Sequence, residues 1–184
     1  MADEGGPLDQ IVVTAHSPDG LIMARLAHRN RISLRMRPGA YQRYRVEALQ
    51  SQLVQLAARI WAENRRAYFR SASATLGVTL RGDEPAQDAR GARFKRAQAE
   101  LSVSGQSAGG DVEARSIGLL RWQFIIRPGA LDQLSEREFL TEVANAVRNL
   151  LIDYFDQVRA LKVEIFGLRI PTAQPGAHRH EGRR

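Results

Sequence analysis

Arg37-Pro38-Gly39-Ala40 is written again as Arg127-Pro128-Gly129-Ala130, ninety positions along the chain. The same offset aligns residues 11–80 with 101–170 without a gap. It pairs Val13 with Val103, Ser17 with Ser107, Gly20 with Gly110, Ala24 with Ala114, Arg25 with Arg115, Arg31 with Arg121 and Gly77 with Gly167. The apolar pattern agrees more fully than the identities do. A repeat of this length makes each copy a structural unit, within which local motifs are read.

Working outward from Arg-Pro-Gly-Ala, the residues before it alternate and those after it do not. Arg31 to Arg37 places Ile32, Leu34 and Met36 on one face and Arg31, Ser33, Arg35 and Arg37 on the other. Leu21 to His28 also alternates, and Ile11 to Ala15 leads into Ser17-Pro18-Asp19-Gly20, a turn sequence. This pattern predicts three short antiparallel strands with one buried face. Beyond Pro38-Gly39, Val46, Leu49, Leu53, Leu56, Ala57, Ile60 and Trp61 follow helical spacing, predicting a helix to about Ser71. The second copy repeats the plan. Its third strand carries Trp122, Phe124 and Ile126, Ser135-Glu136-Arg137-Glu138 has the form of a capping box, and an apolar stripe runs from Phe139 to Val158, in a helix extending to about Ile165.

The expected fold class is therefore α+β: two tandem units, each a three-stranded antiparallel sheet followed by a long helix. Residues 1–10 are read as a disordered N-terminus, 11–80 as repeat 1, 81–100 as a linker with a short basic helix, 101–170 as repeat 2 and 171–184 as a disordered polar tail. A unit of about 65 residues has little core of its own. Packing of the two units as an intramolecular pseudo-dimer is the expected remedy.

Charge separates the copies. The 184-residue chain has a formal net charge of +7. Residues 21–70 hold 11 Arg against Glu47 and Glu63, net +9, while residues 111–160 hold 6 Arg against 8 acids, net −2. Repeat 1 is basic and repeat 2 acidic, which concerns partners rather than fold. There is no cysteine, hence no disulfide or thiolate metal site. The first ten residues lack the basic and apolar regions of a secretory signal, and no apolar run is long enough to span a membrane. A cytoplasmic protein is expected.

The second copy resembles the YbaB/EbfC family of bacterial nucleoid-associated proteins. The residues carrying the likeness are Ala97 to Gly105, the glycine hairpin Ser107-Ala108-Gly109-Gly110, and Asp111-Val112-Glu113-Ala114. Ile126-Arg127-Pro128 and Met36-Arg37-Pro38 stand where the family has Ile-Asp-Pro before its last helix, so Arg replaces Asp in both copies. Gly167 to Pro171 is similar to the Gly-Leu-Pro segment that follows that helix. The resemblance covers residues 11–171. It implies homodimer-like assembly, location in the nucleoid, and binding of DNA with little sequence specificity and no catalysis. Similar sequences also accompany actinobacterial type VII secretion, where a DNA role is not assumed.

Two functions follow as expectations. In the first, duplex DNA is held through its phosphates by Arg25, Arg29, Arg31, Arg35 and Arg37 on the sheet side, and by Arg59, Arg65, Arg66 and Arg70 toward the end of the helix. Arg presents a planar fork suited to phosphate, and such contacts are salt-sensitive and indifferent to sequence. The alternative for the strand residues is a solvated basic face, and for the helix residues a favourable macrodipole. Tyr41, Tyr44, Tyr68 and Phe69 interleave with arginines and could stack single-stranded bases, or anchor a core. In the second function the chain is a YbaB-like interaction scaffold or secretion-associated accessory protein, self-associating through basic repeat 1 and acidic repeat 2. No cofactor, metal or catalytic residue is expected. The four histidines are His16, His28, His178 and His180, the short glycine hairpins do not open helices, and no nucleophile–base set is visible.

Overall fold

The computed structural model describes residues 11–80, 82 and 84–167. The expected N-terminus 1–10 and tail 171–184 lie outside the described residues, as does the Leu168–Ile170 end of repeat 2. The chain is mixed α+β with two three-stranded antiparallel sheets. The first comprises β1 (Val12–His16), β2 (Ile22–Ala27) and β3 (Arg31–Met36), and is followed by the helix α1 (Val46–Leu76). A connecting helix α2 (Ala89–Glu100) precedes β4 (Ser102–Gln106), β5 (Val112–Ile117) and β6 (Arg121–Ile126). One turn of helix, α3 (Ala130–Gln133), then leads to α4 (Glu136–Phe166).

The repeated residues sit where the backbone needs them. Arg-Pro-Gly-Ala forms a turn in which Ala40 N donates to Arg37 O at 3.0 Å and Ala130 N to Arg127 O at 3.0 Å. Pro presets φ at the second position, and Gly39 and Gly129 take φ of 74° and 80° at the third, the demands of a type II turn. Ala40 and Ala130 follow it into the interior. In the first hairpins, Ser17 Oγ accepts from Ile22 N at 2.9 Å and Ser107 Oγ from Val112 N at 3.1 Å. Both serines are buried, so the identity preserves a satisfied amide.

The first long helix outlasts its apolar stripe, and the second buries Ile165 in its last turn. α1 runs to Leu76, past the expected end near Ser71, and stops at Gly77 in the left-handed region. α4 starts at the capping box of Ser135 and Glu138 and stops at Gly167 in the same conformation.

Each helix covers more than its own sheet. α1 packs on β1 and β2 and on β6 of the other unit, while α4 packs on β4 and β5 and on β3. One core of buried residues draws on both units, including Ile22, Leu49, Leu53, Val112, Phe139 and Leu150. Tyr41 is buried against Phe139, with ring centroids 5.6 Å apart, and its hydroxyl donates to Leu134 O at 3.1 Å. Gln50 Nε2 donates to Phe124 O at 3.0 Å. These contacts join residues more than seventy positions apart, and they place Tyr41 among the interior anchors rather than base-stacking platforms.

The units are not identical in packing. A Cβ on Gly105 would lie 2.2 Å from Ala146 O and Leu150 N, so α4 rests directly on β4. Ala15 occupies the matching place in β1. A Cβ on Gly118 would lie 2.4 Å from Ala99 O, because α2 ends over the β5–β6 turn. At the equivalent position of the first unit His28 adopts a φ of 47°.

Candidate nucleic-acid interface

The first sheet buries one face against the helices and exposes the other. Register places Thr14, Arg25 and Ser33 in one row across it, and His16, Met23 and Arg35 in the next. Arg31 lies opposite Ala27 at the far end of β3. Arg25, Arg31 and Arg35 are all exposed on this face, with the hydroxyls of Thr14 and Ser33 between them. Arg31 and Arg35 are four residues apart along β3, a span of about 13 Å at the rise of an extended strand. Arg37 follows at the strand end, where its N–H donates to Leu21 O at 2.9 Å.

The second sheet carries arginines at three of these positions, Arg115, Arg121 and Arg127, yet its electrostatics differ. Arg115 stands where Arg25 does, but Nε and Nη2 grip Glu113 at 2.7 and 3.0 Å. That pairing raises the Arg115 pKa. Arg127 stands where Arg37 does, and Nε donates to Asp111 Oδ1 at 2.7 Å. Asp111 is buried, so this pair fixes the end of β6. In the first unit Glu113 is replaced by Met23 and Asp111 by Leu21. Among the described residues, no acid pairs with Arg25, Arg31, Arg35 or Arg37. The basic character of the first sheet thus arises from loss of two carboxylates as well as from gain of Arg35 in place of Ile125. Comparing the copies position by position contains this signal, whereas net charge over a window hides it.

The remaining predicted residues divide. Arg29 lies in the β2–β3 turn with a φ of 69° and stacks on the Phe155 ring of α4, 5.2 Å to the centroid. It therefore serves the contact between units, away from the row of strand arginines. Arg59 Nη1 donates to His16 O at 3.2 Å, tying α1 to β1. Arg66 pairs with Glu63 at 2.6 Å. Arg65 acts electrostatically on buried Tyr154, whose pKa burial raises and Gln98 and Arg65 partly restore. Arg70 is exposed, with Tyr68 stacked edge-on against Phe69 beside it. Because α1 continues to Leu76, none of these arginines lies in its last turn. The macrodipole explanation, which is confined to that turn, does not apply to them. Sheet-face and helix arginines form two groups rather than one patch.

The acids of the second unit are largely engaged within it. Besides Asp111 and Glu113, Asp153 accepts from Ser104 N, Glu142 from Gly109 N, Asp156 from Arg159, and Glu164 from Arg93.

A small cavity of about 30 Å³ is lined by apolar side chains of both units, among them Leu34, Leu56, Trp61, Trp122 and Val147. It offers no polar group to a substrate. Among the described residues no three His, Asp or Glu converge as metal ligands, and no helix is long and apolar enough to cross a membrane. His178 and His180 lie outside the described residues. Comparison with models of known families, with curated proteins and with solved structures finds no match to this chain.

Proposed function

We propose that this protein binds duplex DNA without catalysis and with little sequence specificity, holding phosphates on the outer face of its first sheet. Arg25, Arg31, Arg35 and Arg37 are the contact residues, and Thr14 and Ser33 add hydroxyl donors. What supports this is the contrast between the sheets: the arginines paired with Glu113 and Asp111 in one have no acid beside them in the other. Exposed arginines without acids displace the counterions condensed on DNA when they neutralise its phosphates, whereas arginines already paired contribute less. Among the described residues no groove-reading element accompanies these arginines, and phosphate contact is the source of affinity proposed. A location on the nucleoid follows from such binding.

The same proposal treats the two units as halves of a YbaB/EbfC-like dimer joined in one chain. The reciprocal packing of α1 on β6 and α4 on β3 supports it. A pseudo-dimer whose halves have diverged can keep one sheet for DNA and use the other as structural support.

Electrophoretic shifts on random duplex test the assignment. Arg31→Ala/Arg35→Ala is expected to weaken binding at least about tenfold, and Arg65→Ala/Arg66→Ala by less than about threefold. Equal loss in both variants would move the interface to the whole basic unit. Absence of binding by the wild type would favour the scaffold reading.

A further inference from the structure

β1 is an edge strand, so one side of its backbone faces away from β2. Ser17 N donates to Ile22 O at 2.8 Å, and hydrogen-bonded pairs alternate along an antiparallel ladder. Val13 and Ala15 therefore exchange bonds with β2, while Val12, Thr14 and His16 aim their N–H and C=O groups outward.

The matching edge of the second unit is closed by α4. Gln157 Nε2 donates to Ser102 O at 3.3 Å, Ser104 N donates to Asp153 Oδ2 at 3.2 Å, and Asn149 Nδ2 donates to Gln106 O at 2.8 Å. These three side chains lie at four-residue intervals on one helix face, within reach because Gly105 lets α4 settle onto the strand. At the same offsets α1 carries Ala67, Glu63 and Arg59. Arg59 reaches His16 O, Glu63 is held by Arg66, and Ala67 has no donor to offer Val12 O. Ala15, in place of Gly105, adds a methyl group between strand and helix. Among the described residues, nothing takes the outward backbone groups of Val12 and Thr14.

We propose that β1 pairs antiparallel with β1 of a second copy of this chain, about a two-fold axis at Thr14. Thr14 then exchanges two backbone bonds with its own mate, and Val12 pairs with His16 of the other copy, whose carbonyl accepts this second bond beside the one from Arg59. The strand is suited to a copy of itself. Val12-Val13-Thr14-Ala15-His16 carries no Lys, Arg, Asp, Glu or Pro, the residues that normally keep an edge from pairing. Val12 is 45% exposed on the sheet face and gains a neighbour across the seam. The arginines are set back: Arg25 and its mate would be three strand spacings apart, about 14 Å, beyond the Debye length of about 8 Å. β4 cannot substitute for the second β1, because its edge is already filled. Two copies would thus share a continuous six-stranded sheet with arginines on a single face.

Sedimentation equilibrium tests the pairing on the full chain without DNA. The wild type is expected to show a monomer–dimer equilibrium with a dissociation constant on the order of 10 μM, in keeping with a small interface. Thr14→Pro removes an outward amide that the native sheet does not use, so the fold tolerates it and pairing is blocked. Arg59→Asn/Glu63→Asp/Ala67→Gln supplies α1 with the side chains that close the β4 edge. Both variants are expected to stay monomeric at about 100 μM, with helix and strand content unchanged by circular dichroism. If Thr14→Pro fails to fold, the triple variant carries the test. A wild type monomeric throughout this range overturns the proposal, whether or not it captures some other extended segment. So does a dimer of unchanged strength in a folded variant.

Discussion

Asp19 shows how much one turn residue can organise. Oδ1 accepts from Ser17 Oγ at 2.6 Å and Leu21 N at 3.0 Å, and Oδ2 from the Tyr44 hydroxyl at 2.5 Å. Burial works to raise its pKa, but these bonds favour the carboxylate and lower it on balance. The Tyr44 phenol is pushed up, by burial and by the same carboxylate. A depressed Asp19 contributes stability that is present above the unfolded pKa and lost as pH falls through the folded one, that is, below about pH 4. The Tyr44 contribution is present below about pH 10 and lost as pH rises beyond it. Thermal unfolding of Asp19→Asn should therefore show a deficit of less than about 1 kcal/mol at neutral pH, vanishing below about pH 4; a deficit constant with pH would remove the charge from the explanation. The glycine of Arg-Pro-Gly-Ala makes a different demand. A Cβ on Gly39 would meet nothing within 4 Å, so its constraint is conformational. Gly39→Ala should cost about 1–2 kcal/mol through left-handed strain, whereas Gly105→Ala should cost more by forcing α4 from β4. Chemical denaturation of the two variants checks the order.

Elements were legible where their pattern was local. Alternation located all six strands to within a few residues, and the period of 3.6 located both long helices, because each buries one face and alternation or helical spacing is the direct record of that burial. The end of α1 was not legible. Ser71 to Leu76 contribute no buried residue, and the helix stops only where Gly77 can turn left-handed. Ser135 was readable as a cap from four residues, and Ser135→Ala is expected to lower stability by about 1 kcal/mol with little effect on DNA binding. Long-range contacts left no such record. Nothing near Arg29 announces Phe155, 126 positions away, so a turn arginine that looked available is engaged between units. The edge caps Asn149, Asp153 and Gln157 do leave a trace, a polar stripe at four-residue spacing beside the apolar one, opposite a strand glycine. That trace becomes informative only when the matching residues of α1 are set beside it.

At the scale of the whole molecule, the two units depend on each other for their core. Each helix covers a strand of the other unit, so residues 11–80 alone would expose Leu53 and Leu56, which meet side chains of the second unit. Produced separately, either unit should lack a cooperative thermal transition, and a cooperative one in residues 11–80 would argue against mutual dependence. The shared core leaves the outer sheet faces free to diverge, one neutralised by Glu113 and Asp111 and the other left basic. This divergence is the heart of the functional proposal, and it can be reversed without deleting an arginine. Leu21→Asp/Met23→Glu gives the first sheet the acids of the second, beside Arg37 and Arg25. The decisive measurement is the slope of log binding constant against log salt for this variant and the wild type on random duplex DNA. Four contacting arginines predict a wild-type slope of about −3.6, or roughly a hundredfold loss of affinity between 50 and 200 mM salt. In the variant, with Arg25 and Arg37 engaged by acids, the slope should fall to about −1.8, with weaker binding at every salt concentration. A folded variant with wild-type affinity and slope would contradict the assignment of the first sheet as the DNA-binding face.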